Sequence, residues 1–303
     1  MTKPAINISA SVHQRLLNKA KETSRPFQEF FSFYALERFL VRLGKTRYAN
    51  DFILKGALLI RCWSPDSIRP TMDIDLLGKT DNSPDNIRRI MAEASDITID
   101  DGLVFLQDKV TSGLIQTQNT YSGIRAKVYG NLGPSRISIH IDVGFGDIII
   151  PKPDIIEYPA ILDFPTVTIQ TYTLESLIAE KFHPMVKLDI LNSRMKDYYD
   201  IYLLSQTMHI QGNTLSRAIK ETFSNRTTAL PNDLSKFLNN HALEAGKQEL
   251  WEGFLKKSMI TGAPNMFAAI IASVTMLLSP VVEALNSGTP FNHKWSPKGP
   301  WIL

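Results

Sequence analysis

Two aspartates, Asp73 and Asp75, are separated by a single residue within the segment 71–77. Because side chains alternate along a strand, this spacing aims both carboxylates to one side and Ile74 and Leu76 to the other. Two like charges this close resist burial unless a divalent cation lies between them, and Mg²⁺ selects hard oxygen ligands. The pair is therefore a candidate metal site for phosphate chemistry, with a solvated strand face as the alternative.

A third carboxylate, Asp142, lies on the polar face of the alternating segment 137–143, whose other face is entirely aliphatic. This placement makes Asp142 a candidate third metal ligand. An ordinary aspartate of an edge strand is the alternative. His140, His183 and His209 lack the spacing of a metal site, and we interpret them as structural.

A glycine turn, Gly56-Ala57, lies between a buried run at 52–55 and the start of a helical run at 58–63. Glycine lets the backbone approach a ligand closely, and the unpaired N–H groups at a helix start bind phosphate. Many such glycines only turn the chain. We predict that Lys55, Gly56 and Ala57 contact the nucleotide.

Lys181 stands where helical spacing predicts an apolar residue, after the stripe Leu174, Leu177 and Ile178. A lysine aimed inward needs a partner, which a triphosphate would supply. A structural salt bridge, or a stem that buries only its methylenes, is the alternative. Pro184 is expected to kink or end this helix soon afterwards.

The next charged cluster contains Asp197 and Asp200, which share one helical face, and Lys196, four residues before Asp200. A structural ion pair between Lys196 and Asp200 is one explanation. The other is that these residues contact the nucleotide, with Asp197 orienting Lys181 or binding the nucleotide itself.

The patterns around these residues predict strands, then helices. Helices are expected within 11–43, broken near 24–26, and at 86–93; the expected strands are 52–55, 73–77, 103–106, 124–129 and 137–143. Prolines punctuate a connector with a short extended piece at 166–170. We predict an α/β (α+β) fold with an N-terminal lobe at 1–165 and a helical C-terminal lobe at 166–303, including an ordered tail.

Composition narrows the class of protein. The chain has 303 residues, a formal charge of +3 and one cysteine. A single cysteine excludes an internal disulfide, a cysteine-based zinc site and a paired redox centre. The charge is too small to demand nucleic acid by itself. No signal core and no run of about 18 apolar residues stands out, so we expect a cytoplasmic protein without a membrane partner.

Four sequence blocks, in this order, resemble the AbiEii and MenT group of nucleotidyltransferase toxins. The segments that carry the resemblance are 52–59 with 69–78, 141–147, 174–183 and 193–202. The superfamily motif is Gly-Gly or Gly-Ser followed by Asp-x-Asp, and this chain has Gly56-Ala57 before Asp73. Lys181 matches the family's motif lysine, and Asp197 its later motif aspartate.

The resemblance implies a DNA polymerase β-like nucleotidyltransferase core with a mixed sheet, followed by a helical lobe. It also implies a type IV toxin–antitoxin or phage-defence toxin that moves NMP from an NTP to RNA, in MenT-like members to the tRNA 3′ end. Mg²⁺ would be the cofactor, held by Asp73, Asp75 and Asp142, and a cognate antitoxin the partner. The open alternatives are a nucleotidyltransferase with a small acceptor and a non-catalytic nucleotide-binding module.

Overall fold

The structure is a computed structural model that describes residues 7–64, 69–115 and 123–303. The chain forms two compact units. The first consists of Met1–Cys62, Pro70–Gly146 and Asp154–Thr171; the second consists of Trp63–Arg69, Asp147–Pro153 and Tyr172–Leu303. Both units are thus discontinuous in sequence, whereas the sequence patterns suggested a single boundary at 165.

The first unit contains a mixed sheet with helices. Its strands are β1 (Phe52–Lys55), β2 (Asp73–Gly78), β3 (Leu103–Phe105), β4 (Thr111–Leu114), β5 (Ile124–Leu132), β6 (Ser135–Gly144), β7 (Asp154–Tyr158) and β8 (Val167–Thr171). Its helices are α1 (Ile8–Glu22), α2 (Phe27–Leu43), α3 (Gly56–Trp63) and α4 (Pro84–Asp96).

The strand order is β3-β5-β6-β2-β1-β8-β7, and β4 pairs with β5 outside that order. β2 lies between β1, to which it is antiparallel, and β6, to which it is parallel. The long hairpin of β5 and β6 continues the sheet on one side, and β8 joins β1 in parallel on the other. The strand that carries the candidate carboxylates is therefore central.

The core of this unit is built on α2, in which every residue from Phe31 to Leu43 is buried. The buried stretch includes Arg42, whose guanidinium donates to both carboxylate oxygens of Asp101 at 2.7 and 3.0 Å. A buried charge needs such a partner because burial removes its hydration. The break predicted near 24–26 is confirmed, since α1 ends at Glu22 and α2 begins at Phe27.

Two local expectations need correction. Gly56 and Ala57 are not a separate turn but the first residues of α3, which follows β1 directly. The segment 154–158, taken as part of an irregular connector, is β7 and pairs antiparallel with β8. The prolines at 151, 153, 159 and 165 lie outside this strand, where proline removes no ladder hydrogen bond from it.

The second unit is helical. Its helices are α5 (Leu174–Leu188), α6 (Met195–Thr207), α7 (Gly212–Asn225), α8 (Leu234–Leu243), α9 (Lys247–Ser258) and α10 (Phe267–Ser287). A small antiparallel sheet orders the tail through β9 (Ile210–Gln211), β10 (Lys294–Trp295) and β11 (Trp301–Ile302). The indole N–H of Trp295 donates to the Ser205 carbonyl at 2.8 Å, and that of Trp301 to the Leu277 carbonyl at 2.9 Å.

Pro184 lies inside α5, which continues to Leu188, so the expected alternative that the proline ends the helix is wrong. The neighbouring side chains of Phe182 and Met185 are fully buried, and tertiary packing of this kind supplies most of a helix's stability. That packing offsets the loss of the backbone hydrogen bond that proline cannot make.

By length and composition, α10 could cross a membrane, with 21 residues and a mean hydropathy of 1.9. The expectation that no apolar run of this kind exists is therefore wrong. Half of the apolar window is buried inside the structure. The core helix of a soluble protein passes the same test, so this one helix is weak support for a membrane span.

Candidate active site

Asp75 belongs to a row of four charged residues that crosses the sheet of the first unit. Asp75 is the register partner of Lys55 on β1 and of Asp142 on β6, and Asp142 is in turn the partner of Arg125 on β5. Register partners on neighbouring strands project to the same face. Two carboxylates thus lie side by side in this carboxylate row, with a cation at each end.

Asp73 lies in the next row along the same face of β2. Its register partner is His140 on β6, and His140 Nδ1 lies 3.1 Å from Asp73 Oδ1. His140, interpreted from its spacing as structural, is therefore a neighbour of the candidate metal ligand. The shared polar face with Asp142 was visible in the sequence, but the pairing with β2 was not.

Gly56 is required where it stands, for two reasons. Its φ is +71°, in the left-handed region that side-chain-bearing residues rarely adopt. A Cβ at this position would also lie 2.0 Å from Asp75 Oδ2. The carboxylate of Asp75 therefore sits directly against the backbone that begins α3, beside the unpaired N–H groups of its first turn.

Asp142 is held by Arg125, which donates from Nε and Nη2 to its two oxygens at 2.7 Å each. These hydrogen bonds raise the pKa of Arg125, so the guanidinium remains charged. Sequence reasoning missed Arg125, although the alternation of buried and polar residues along β5 places it on the polar face. Asp142 could serve a metal through the lone pairs that Arg125 leaves free, or by exchange of this partner.

The donor set of Asp73 and Asp75 fits Mg²⁺, because it offers carboxylate oxygens only, on one face of one strand. Because Gly56 has no side chain, it leaves room for the Asp75 carboxylate, and a Cβ at this position would occupy that space. Across residues 7–64, 69–115 and 123–303, no group of three or more His, Cys, Asp or Glu side chains is arranged to hold a metal ion. The proposed three-carboxylate set thus stays a prediction.

Lys181 lies in the second unit, within a group of charges here called the lysine cluster. The cluster also contains the buried carboxylates Asp197 and Asp200 and the more exposed Arg69 and Arg194. Lys181 Nζ donates to Asp200 Oδ2 at 2.5 Å and lies 3.7 Å from Asp197 Oδ1. Arg69 donates to both oxygens of Asp200 at 2.9 Å, and Arg194 Nε donates to Asp197 at 2.6 Å. Three cations and two carboxylates thus contact one another in this cluster.

The charge state of Asp200 follows from its partners. Burial alone would raise its pKa, but Arg69 and Lys181 outweigh burial and lower the pKa to about 2. Asp200 is 1% exposed and so anchors Lys181 rather than facing a ligand itself. Lys196 is exposed on α6, and Ala57 lies in the first turn of α3.

Arg69 was missed from the sequence because it precedes Pro70 in an irregular segment, and no periodicity marks its direction. Among the predicted residues, the structure brings Lys55, Gly56, Asp73, Asp75 and Asp142 together in the first unit. It brings Lys181, Asp197 and Asp200 together in the second.

The first unit thus combines a mixed sheet with a carboxylate pair on a central strand, beside a glycine that begins a helix. A family model described as nucleotidyl transferase AbiEii toxin, Type IV TA system, matches residues 38–273. The chain belongs to this family of nucleotidyl transfer toxins. The family implies an enzyme that uses an NTP, and an antitoxin as partner.

A solved structure shares the fold. JHP933 from Helicobacter pylori is 10% identical with a TM-score of 0.50, and the match covers 86% of this chain and 94% of that one. A protein described as a candidate nucleotidyltransferase from H. pylori is 11% identical with a TM-score of 0.46, covering 87% of this chain and 99% of that one. No curated protein sequence matches the chain.

Proposed function

We propose that this protein transfers NMP from an NTP to an RNA acceptor, the tRNA 3′ end, in a Mg²⁺-dependent reaction. The observation that carries the proposal is the placement of Asp73 and Asp75 on one face of β2, with Asp75 in register with Asp142 and in contact with Gly56. Membership of a nucleotidyl transfer toxin family supports the reaction type.

Asp73 and Asp75 would hold two Mg²⁺ ions, and Asp142 would support the site or act as base. When bound, Mg²⁺ neutralises phosphate charge and activates the attacking hydroxyl. His140 would keep Asp73 oriented through its Nδ1 contact. Before substrate binds, Arg125 would compete with Mg²⁺ for Asp142, because its guanidinium donates to both oxygens of that carboxylate.

The first turn of α3 would receive phosphate oxygens through its N–H groups, with Lys55, Gly56 and Ala57 as the contact segment. Lys181 would neutralise triphosphate charge through its ammonium group, which the carboxylates of the lysine cluster hold in place. Asp197 and Asp200 would orient Lys181 in this role. Lys196, exposed on α6, would contact the nucleotide or its acceptor.

The RNA acceptor is supported by chemistry on the second unit as well as by the MenT-like resemblance. Lys187, Arg194 and Lys196 are exposed there and lie close in sequence to Lys181. Cations of this kind bind nucleic-acid phosphates. The reaction would take place in the cytoplasm and arrest growth, as part of toxin–antitoxin or phage-defence function, until an antitoxin opposes it.

The test is incubation with each labelled NTP, Mg²⁺ and total RNA, followed by separation of the RNA species that gains label. We expect one class of RNA, tRNA, to be labelled. Periodate oxidation of the tRNA destroys its 3′-terminal hydroxyls and should abolish labelling while leaving the rest of the RNA to bind. Undiminished labelling of oxidised tRNA would exclude the 3′ end, and label in a small molecule would exclude RNA.

A further inference from the structure

The polar face that carries the carboxylates continues along the hairpin of β5 and β6. The register pairs Lys127 with His140, Tyr129 with Ser138 and Asn131 with Arg136. Each of these residues alternates with buried ones that face the other way. A groove of about 530 Å³ lies at this end of the hairpin, and its lining includes Lys109, Tyr129 and Arg136.

The groove is basic and has one aromatic ring. Lys109 and Arg136 are exposed, and Lys127 Nζ lies 5.0 Å from the centroid of the Tyr129 ring. In the part of the chain that the structure describes, neither Lys109 nor Arg136 makes a salt bridge, and no acidic residue lines the groove. The charge of these two side chains is thus available to an anionic ligand.

The groove and the carboxylates lie on one continuous strand. Ser138 precedes Asp142 by four residues on β6, which at a strand rise of ~3.3 Å per residue corresponds to about 13 Å. A short extended single strand can bridge that distance. A ligand lying in the groove would therefore reach the carboxylate row along the same sheet face.

We propose that this groove, the β5–β6 groove, binds the single-stranded end of the RNA acceptor. Lys109 and Arg136 contact its phosphates, and a base stacks on Tyr129. The inference rests on the proposed function, because it supplies the acceptor side of the same site. Cations interleaved with an aromatic ring are the recurring chemistry of single-strand binding, in which the charges track the backbone and the ring takes the base.

The experiment measures the binding of a short fluorescein-labelled single-stranded RNA by anisotropy, over about 50 to 200 mM salt. Each phosphate contact contributes about 0.7 to the slope of log affinity against log salt for a single strand. The double variant Lys109→Ala with Arg136→Ala removes two phosphate contacts and should therefore reduce the magnitude of this slope by about 1.4. Lys256→Ala with Lys257→Ala, which removes two exposed charges from α9, is the matched control and should leave the slope unchanged.

The Tyr129 variants separate stacking from charge. Tyr129→Leu should weaken binding about tenfold at every salt concentration without changing the slope, because the loss is that of one stacked base. Tyr129→Phe keeps the ring and should bind as the unaltered protein does.

The outcomes separate this inference from the proposed function. If the groove variants and the α9 control bind RNA equally well, the groove is not the RNA site, whether or not RNA is labelled in the transfer assay. Tighter binding of an acidic peptide than of RNA overturns it as well. If the groove variants lose RNA binding while the unaltered protein labels no RNA, the groove is supported as an RNA site and the proposed transfer reaction is contradicted.

Discussion

The Asp75 carboxylate lies against the Cα of Gly56, so close that a Cβ there would be 2.0 Å from Asp75 Oδ2. This contact joins the end of β1, the start of α3 and the middle of β2. The oxygen is held where the first N–H groups of a helix begin, a position suited to a ligand that needs both carboxylates and backbone donors.

Gly56→Ala should therefore destabilise the first unit and abolish nucleotide transfer. Two costs add: the left-handed φ of +71°, roughly 1–2 kcal/mol for a residue with a Cβ, and the displacement of Asp75. Gly288→Ala is the control, because Gly288 has a φ of +68° but nothing within 4 Å of a Cβ. Urea unfolding measures both variants, and equal losses of stability would contradict the steric account.

Asp73→Asn and Asp75→Asn should each reduce transfer by at least about a hundredfold, the scale of losing one electrostatic contribution to a transition state. Both variants should remain folded because the substitutions keep shape and lie on the polar face of β2. Asp100→Asn, at an exposed acid, is the control. Full activity in either variant, measured by label incorporated from NTP, would refute the metal assignment.

Arg125→Ala should strengthen divalent cation binding. Removal of the guanidinium leaves both oxygens of Asp142 available to a cation. An exposed ion pair contributes roughly 0.2–1 kcal/mol. Its loss should therefore raise the affinity for the cation by up to about fivefold. Mn²⁺ titration followed by electron paramagnetic resonance measures this without NTP or RNA. Unchanged affinity would mean that Asp142 is not a ligand but the structural partner of Arg125.

Lys181→Met should lower the free energy of unfolding by about 1–3 kcal/mol, because buried Asp200 loses a hydrogen-bond donor. NTP binding by the folded Lys181→Met variant then separates two roles of the lysine. A contact with the triphosphate predicts weakened NTP binding, whereas normal NTP affinity would assign Lys181 a structural role only.

The lysine cluster also predicts a pH dependence. The pKa of Asp200 is about 2 in the folded protein against an ordinary 3.8, so its ionised form stabilises the fold above the unfolded pKa. This stability, about 2 kcal/mol at most, is fully present above about pH 5 and is lost as the pH falls through 3.8 towards 2. Urea unfolding between those values, compared with Asp200→Asn, measures the difference. Parallel curves for the two proteins would exclude this linkage.

The sequence by itself determined the local elements and the direction of their side chains. Alternation in a strand depends only on backbone geometry, so the shared face of Asp73 and Asp75 could be predicted, as could the polar face of 137–143. Glycine before a helical run indicated a special backbone position at 56, and the φ of +71° bears this out.

Only the tertiary structure decided which elements became neighbours. The parallel pairing of β2 with β6 sets Asp75 beside Asp142, and the hairpin brings in Arg125, although 17 residues separate that pair in the chain. Arg69 and Asp200 are 131 residues apart, and no periodicity connects them. Long-range partners depend on how whole elements pack, whereas side-chain alternation depends on the few covalent bonds of one segment.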